Sequence, residues 1–209
     1  MSDGPRHVLR PADLSPAELE GVLELAAQAK ADPRTLAAER SDQTLVAIIE
    51  LPSTRTRLAF AAAAQRLGMT VTAVAAAETQ LARGEALVDT ARTLSALSAA
   101  IVVRTGSHEL LEELASTVTV PVINALSPRH HPCEALVSLF TLRERFGGLA
   151  GLRLSFVVAN ATGASVSVLD DPREAVSGAD VVYTDVWTSM DGESAVDTQA
   201  LAAFVSTGN

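Results

Sequence analysis

The chain has one cysteine, Cys133, so no intramolecular disulfide can form and a reducing compartment is its natural setting. It lacks an apolar run long enough to span a bilayer, and its polar first residues, Met1 to Arg10, hold no signal-peptide core. A soluble cytoplasmic protein is the expectation. Positive charge is scarce as well: 16 Lys and Arg stand against 25 Asp and Glu, a net charge of −9. That balance excludes nucleic acid and anionic membrane as general partners. An anionic ligand would need a local cluster of arginines working against the overall field. Aromatics make up only 3% of the residues, yet 48% are apolar and 20% charged, which excludes a disordered chain. Much of the apolar content is alanine, which suits helices lying close on a sheet. No repeat stands out.

What is present is an alternation of short β-rich runs with helical patterns, the signature of an α/β fold with a mostly parallel sheet. Ser15-Pro16-Ala17-Glu18 opens the first helix with a cap, a first-turn proline and a capping-box glutamate. Leu19, Val22, Leu23 and Ala26 then form its apolar face. Strands are expected at Leu45 to Ile49, Thr70 to Val74, Ala100 to Arg104 and Val120 to Ala125. Helices are expected from Thr54 to Leu67, around Asp89 to Ser98, from His108, and from His131 to Arg145; a polar loop covers Glu78 to Glu85. Gly68 ends one helix, and Gly147 and Gly148 close the first half. Further strands fall at Leu154 to Val158, Ser165 to Leu169 and Val181 to Val186, with short helices near Pro172 to Ser177 and Thr198 to Val205. The expected architecture is two doubly wound parallel-sheet domains, residues 1–148 and 149–209, the second incomplete.

In open sheets of this kind, ligands bind beyond the carboxyl ends of the strands, near helix N-termini. Three polar groups fall at such ends. Ser53-Thr54-Arg55-Thr56 follows the first strand and begins a helix, Arg104 closes another strand, and His131 opens the helix after a third. Free amides and the helix dipole attract phosphate, hydroxyls add donors, and arginine offers a planar fork matched to phosphate oxygens. A lone Ser-Thr-Arg would be an N-cap beside solvated arginines; two further polar strand ends point to a small anion. No G-x-G-x-x-G follows the first strand, which sets dinucleotide binding aside, and P-loop chemistry fails similarly.

Pro52-Ser53-Thr54-Arg55-Thr56-Arg57 resembles the carbamoyl-phosphate signature of the aspartate and ornithine carbamoyltransferases. Gln80 with Arg83-Gly84-Glu85 is similar to the ornithine-type loop, where the aspartate type presents a lysine. His131-Pro132-Cys133 resembles the ornithine-type form of a motif whose third residue is usually threonine in the aspartate branch, and Asp185-Val186-Trp187-Thr188-Ser189-Met190 resembles the ornithine-recognition segment. The resemblance implies that Ser53, Thr54, Arg55, Thr56 and Arg104 hold the phosphate of carbamoyl phosphate. It implies that Gln80 reaches a neighbouring site in a homotrimer, and that Arg104 and His131 polarise the carbamoyl carbonyl. Asp185 would hold the α-amino group of L-ornithine, with Ser189 and Met190 shaping its pocket. The δ-amine would attack the carbamoyl carbon and expel phosphate, giving L-citrulline, with no metal or redox cofactor required. Cys133 reads as packing rather than as a nucleophile.

The chain departs from the family pattern at four places. Leu51 replaces a lysine, and Glu134 stands where the family usually has a glutamine accepting from the carbamoyl NH2. Asp191 replaces a glycine. Finally, Ala159 to Ala164 can make a hairpin but not the crossover of about a dozen residues that parallel strands need, and the family's His-Cys-Leu-Pro segment is missing. Either segments of a longer enzyme lie outside this sequence or the chain is a cut-down relative; good matches on both sides of the link favour the first. A Val158–Ala159 Cα separation far above about 3.8 Å would mark missing chain. Glu134 and Asp191 also keep open a different amine acceptor, and the missing ornithine elements keep open a degenerate subunit that binds carbamoyl phosphate without turnover.

Overall fold

The computed structural model describes residues 4–37, 40–157 and 172–184. Two compact units, Met1–Gly148 and Leu149–Asn209, make up the chain. In the first, helices α1 (Pro16–Ala31) and α2 (Arg34–Ala37) precede a regular alternation: β1 (Thr44–Ile49), α3 (Thr54–Arg66), β2 (Thr70–Ala75), α4 (Leu87–Leu97), β3 (Ala100–Arg104), α5 (His108–Thr117), β4 (Val122–Leu126) and α6 (Pro132–Phe146). All four strands run parallel, in the order β2-β1-β3-β4. The expected α/β class and parallel sheet are borne out.

Side-chain alternation along the strands feeds two apolar layers, as a parallel sheet covered on both faces demands. Val46, Ile48, Ile101, Val103 and Val122 pack with Ala91 of α4 and Leu111, Leu114 and Ala115 of α5. The intervening residues Leu45, Ala47, Ile49, Val102 and Ala125 pack on the opposite side with Phe60 and Ala64 of α3. Ile101 and Val102 are fully buried, each worth about 1.5–3 kcal/mol of transfer free energy. Alanine in α3 lets that helix approach the sheet closely. Gly68, at φ +75°, turns the chain out of α3 where an added Cβ would meet the Ala37 carbonyl oxygen at 3.3 Å.

Several boundaries move. β4 runs from Val122 rather than Val120, because Pro121 has no N–H for a ladder. The expected loop Glu78 to Glu85 contains two 3₁₀ turns, Ala76–Glu78 and Gln80–Arg83, and α4 starts at Leu87 rather than Asp89. His131 is the cap of α6 and not its first residue. The segment before α1 pairs with the edge of β4: Val8 donates to the Val122 carbonyl at 2.9 Å and accepts from Asn124 at 2.9 Å. An otherwise open sheet edge is thereby covered.

In the second unit β5 (Leu154–Val157) and β6 (Val181–Thr184) pair in parallel, Leu154 opposite Val181. Helix α7 (Pro172–Val176) lies in the crossover between them. The expected strand Ser165 to Leu169, the helix Thr198 to Val205 and the Val158–Ala159 junction lie outside the described residues.

Candidate active site

The strand order places β1 beside β3, with the chain leaving β1 towards β2 and leaving β3 towards β4. This reversal opens a crevice at the carboxyl ends of β1 and β3. Register aligns the rim: Ile49 lies opposite both Ala75 and Arg104, and Arg104 opposite Leu126. The segments bearing Ser53, Gln80, Arg104 and His131 therefore all leave one edge of one sheet.

After β1, Ser53 is extended and caps α3, its hydroxyl accepting from the Thr56 amide at 3.2 Å. The same hydroxyl donates to Thr56 Oγ1 at 2.8 Å. Arg104 reaches across from β3, and its Nη1 donates to Thr56 Oγ1 at 3.4 Å. Although charged, Arg104 is only 7% exposed. A guanidinium this deep is costly unless matched by polar groups or an anion. Ser53, Thr56 and Arg104 thus form one hydrogen-bonded cluster that bridges the switch point at the N-terminus of a 13-residue helix. Beside it is a cleft of about 510 Å³ lined by residues that include Pro52, Ser53, Thr54, Arg57 and Glu50. Arg55 is exposed in the first turn of α3 and is not among the residues lining that cleft.

Glu50 went unnoticed in the sequence. Its carboxylate accepts from the Thr105 hydroxyl and, at 2.8 Å, from the Gly106 amide, while its own amide donates to the Arg104 carbonyl at 2.8 Å. These bonds tie the loop after β1 to the turn after β3. Its only sequence signal is its place directly after a strand and before the motif.

After β4, His131 caps α6 with its ring: Nδ1 accepts from the Glu134 amide at 3.2 Å. Because Nδ1 accepts, the neutral imidazole carries its proton on Nε2. Glu134 is exposed in the first turn of α6. Cys133 is half-buried and its thiol donates to the Asn124 carbonyl at 3.4 Å. Burial pushes that thiol up to about 11, with Glu134 adding to the rise. At about pH 8 only about one thiol in a thousand is then ionised. Native protein is expected to react with iodoacetamide at least about a hundredfold more slowly than urea-unfolded chain; equal rates would overturn this reading of Cys133.

Gln80 is exposed on the second 3₁₀ turn, and its side-chain oxygen accepts from Arg83 Nη1 at 3.4 Å within its own loop. It is not among the lining residues of the cleft. Asp185, Trp187, Ser189, Met190 and Asp191 lie outside the described residues. Among the described residues no cluster of three or more His, Cys, Asp or Glu is placed to hold a metal ion, and no helix is long and apolar enough to cross a membrane.

Residues 6–144 match the family model for the aspartate/ornithine carbamoyltransferase carbamoyl-P binding domain, and residues 155–206 match that for the Asp/Orn binding domain. The chain belongs to the aspartate/ornithine carbamoyltransferase family. It is a transferase by that membership. Ornithine carbamoyltransferase from Acidothermus cellulolyticus is 39% identical over 95% of this chain and 78% of its own length. That alignment has 242 positions but takes in about 199 residues of this chain (95% of 209), so about 43 positions lack a counterpart here. Among solved carbamoyltransferases, the ornithine enzyme from Pyrococcus furiosus superposes with a TM-score of 0.83 at 33% identity, covering 95% of this chain and 77% of that one. The catalytic subunit of aspartate transcarbamoylase from M. jannaschii superposes with a TM-score of 0.65 at 29% identity, over 72% of this chain and only about half, 51%, of its own.

Proposed function

We propose that the protein moves the carbamoyl group of carbamoyl phosphate to the δ-amine of L-ornithine, giving L-citrulline and phosphate. The observation that carries the proposal is the Ser53–Thr56–Arg104 cluster, which sets hydroxyls, a helix N-terminus and a buried guanidinium at one point of the switch crevice. That donor set suits a phosphate dianion. Ser53, Thr54, Arg55, Thr56 and Arg104 hold the phosphate, and Gln80 completes the site of a neighbouring copy in a homotrimer. Its exposure on the second 3₁₀ turn supports that role.

The neutral δ-amine attacks the carbamoyl carbon, forming the C–N bond and pushing an electron pair onto the carbonyl oxygen. Collapse of this adduct breaks the C–O bond to phosphorus, and phosphate leaves with that pair while the attacking nitrogen sheds a proton. Arg104 and the Nε2–H of His131 stabilise the transient oxyanion, a contribution of about 10²–10³ in rate for a well-aimed donor. Asp185 binds the α-amino group of ornithine, and Ser189 and Met190 line its side-chain pocket. This chemistry needs no metal or redox cofactor. A cytoplasmic enzyme of arginine metabolism is the corresponding cellular reading.

Two rivals remain, a different amine acceptor and a binding protein without turnover. Glu134 and Asp191 favour the first of these. Purified protein should form citrulline from carbamoyl phosphate and ornithine faster than it carbamoylates aspartate or other diamines. No product with ornithine would sink the proposal; calorimetric binding of carbamoyl phosphate without any product would establish the second rival.

Glu134 sets a further test. A carboxylate about 6 Å from a dianion costs about 1 kcal/mol even in a watery dielectric. Glu134→Gln should therefore tighten carbamoyl phosphate binding about fivefold at low salt, with the gain shrinking as salt rises. Unchanged affinity would place Glu134 away from the substrate.

A further inference from the structure

Behind the cap of α6 lies a buried polar network that the phosphate site does not use. Asn124, on β4, is fully buried, and His108 and Ser127 are 2% and 4% exposed. The two protons of Asn124 Nδ2 are shared among three acceptors: the Leu9 carbonyl at 2.8 Å, the His130 carbonyl at 3.1 Å and Ser127 Oγ at 2.9 Å. Two of those partners are carbonyl oxygens, so chemistry fixes the amide with its NH2 towards them. Ser127 Oγ lies 2.8 Å from His108 Nδ1 and 3.3 Å from the His130 carbonyl, either of which can take its proton. On its other side His108 Nε2 is 3.6 Å from Glu112, and the His108 and His130 rings meet edge to face at 5.2 Å. Burial and the nearby His108 push the His130 imidazole below its ordinary value, favouring its uncharged form.

These bonds converge on the peptide unit just before His131. The His130 carbonyl accepts from the Ser127 amide at 3.0 Å and lies within reach of the Asn124 amide and the Ser127 hydroxyl, and the His130 amide returns a bond to the Ser127 carbonyl at 3.3 Å. His131 itself has φ −131° and ψ 73°, neither helical nor regular strand. The Ser127–His130 turn thus holds the backbone that leads into His131, and the Glu134 amide bonds to its ring.

We infer that His108, Ser127 and Asn124 are positioning residues that hold the Ser127–His130 turn so that His131 presents its Nε2 proton to the carbamoyl oxygen. The inference rests on the carbamoyl-transfer role given to His131 above. None of the three touches the substrate; each acts through the turn. Sequence shows them only as a strand residue, a turn serine and the first residue of a helix.

Ser127→Ala removes the hydroxyl at the centre of the network and leaves the chain's other bonds in place. It should lower kcat for citrulline formation about tenfold, since small misplacements of a catalytic group are costly, while the calorimetric Kd for carbamoyl phosphate stays within about twofold. Ser127→Thr, which restores the hydroxyl, should recover kcat to within about threefold of wild type. In a His131→Asn background, Ser127→Ala should cost less than about twofold, because its effect passes through His131. Wild-type kcat in a folded Ser127→Ala protein overturns the proposal, as does an undiminished loss in the His131→Asn background. Should Ser127→Ala fail to fold, His108→Asn, which keeps a hydrogen-bonding atom near the Nδ1 position, replaces it under the same criteria. A readout independent of turnover separates this proposal from the carbamoyl-transfer reading. In Ser127→Ala the Glu134 amide, which donates to His131 Nδ1, should exchange with deuterium about tenfold faster than in wild type while amides in the middle of α6 are unchanged. Unchanged Glu134 exchange overturns the positioning role whatever the enzyme's substrate proves to be.

Discussion

A His131→Asn protein is expected to fold with nearly the stability of wild type and to lose about 10²–10³ in kcat. The substitution separates two roles that one ring performs. As the cap of α6, His131 needs only an acceptor for the Glu134 amide, and asparagine is among the best N-caps. Its side-chain oxygen takes the place of Nδ1, so the unfolding free energy should change by less than about 1 kcal/mol. As an electrophile, however, His131 acts through Nε2–H, and asparagine has no donor at that reach. The loss should fall on kcat rather than on carbamoyl phosphate affinity, because a donor aimed at a developing oxyanion is used mainly in the transition state. Steady-state kinetics with a thermal melt decide the matter. Normal kcat with a normal melt would reduce His131 to a helix cap.

The strands of the first unit were legible because each is a short β-branched run bounded by turn residues, and Leu45 to Ile49 and Ala100 to Arg104 need almost no adjustment. Their order was not legible. Nothing local in Ile49 or Arg104 says that they will sit opposite one another, since pairing is decided by which helices can cover both faces of the sheet at once. The candidate site was readable in its hydroxyls and arginines, which sit at strand ends and helix starts. Its supports were not. Asn124 reads as a polar residue that a strand should turn outward, yet it is wholly buried because the segment around Leu9 returns to the sheet edge with a carbonyl to satisfy. That bond spans 115 positions of chain, beyond any local pattern. Glu50 escaped for the same reason: its partners, Thr105 and Gly106, arrive from a different strand. What a sequence hides here is the pairing of buried polar groups, because each group's partner is set by tertiary structure.

Arg55→Ala is expected to move binding and stability in opposite directions. Arg55 is exposed in the first turn of α3, where the macrodipole already places a partial positive charge. A cation there is unfavourable by about 0.3–1 kcal/mol, and alanine is the better helix former. On structural grounds alone the arginine is a poor choice, and α3 should melt slightly later without it. Its presence makes sense if a phosphate occupies the helix N-terminus, since a charge-assisted bond from the guanidinium is worth about 1.5–3 kcal/mol. Losing it should weaken carbamoyl phosphate about 10- to 150-fold, with a steeper penalty at low ionic strength. Inorganic phosphate, which shares the contact, should weaken in proportion. Calorimetry for both ligands beside a melting curve gives the two signs. A lowered melting temperature with unchanged affinity would mean that Arg55 supports the fold and holds no substrate, and the phosphate site would then have to be rebuilt around Arg57, which lines the cleft itself.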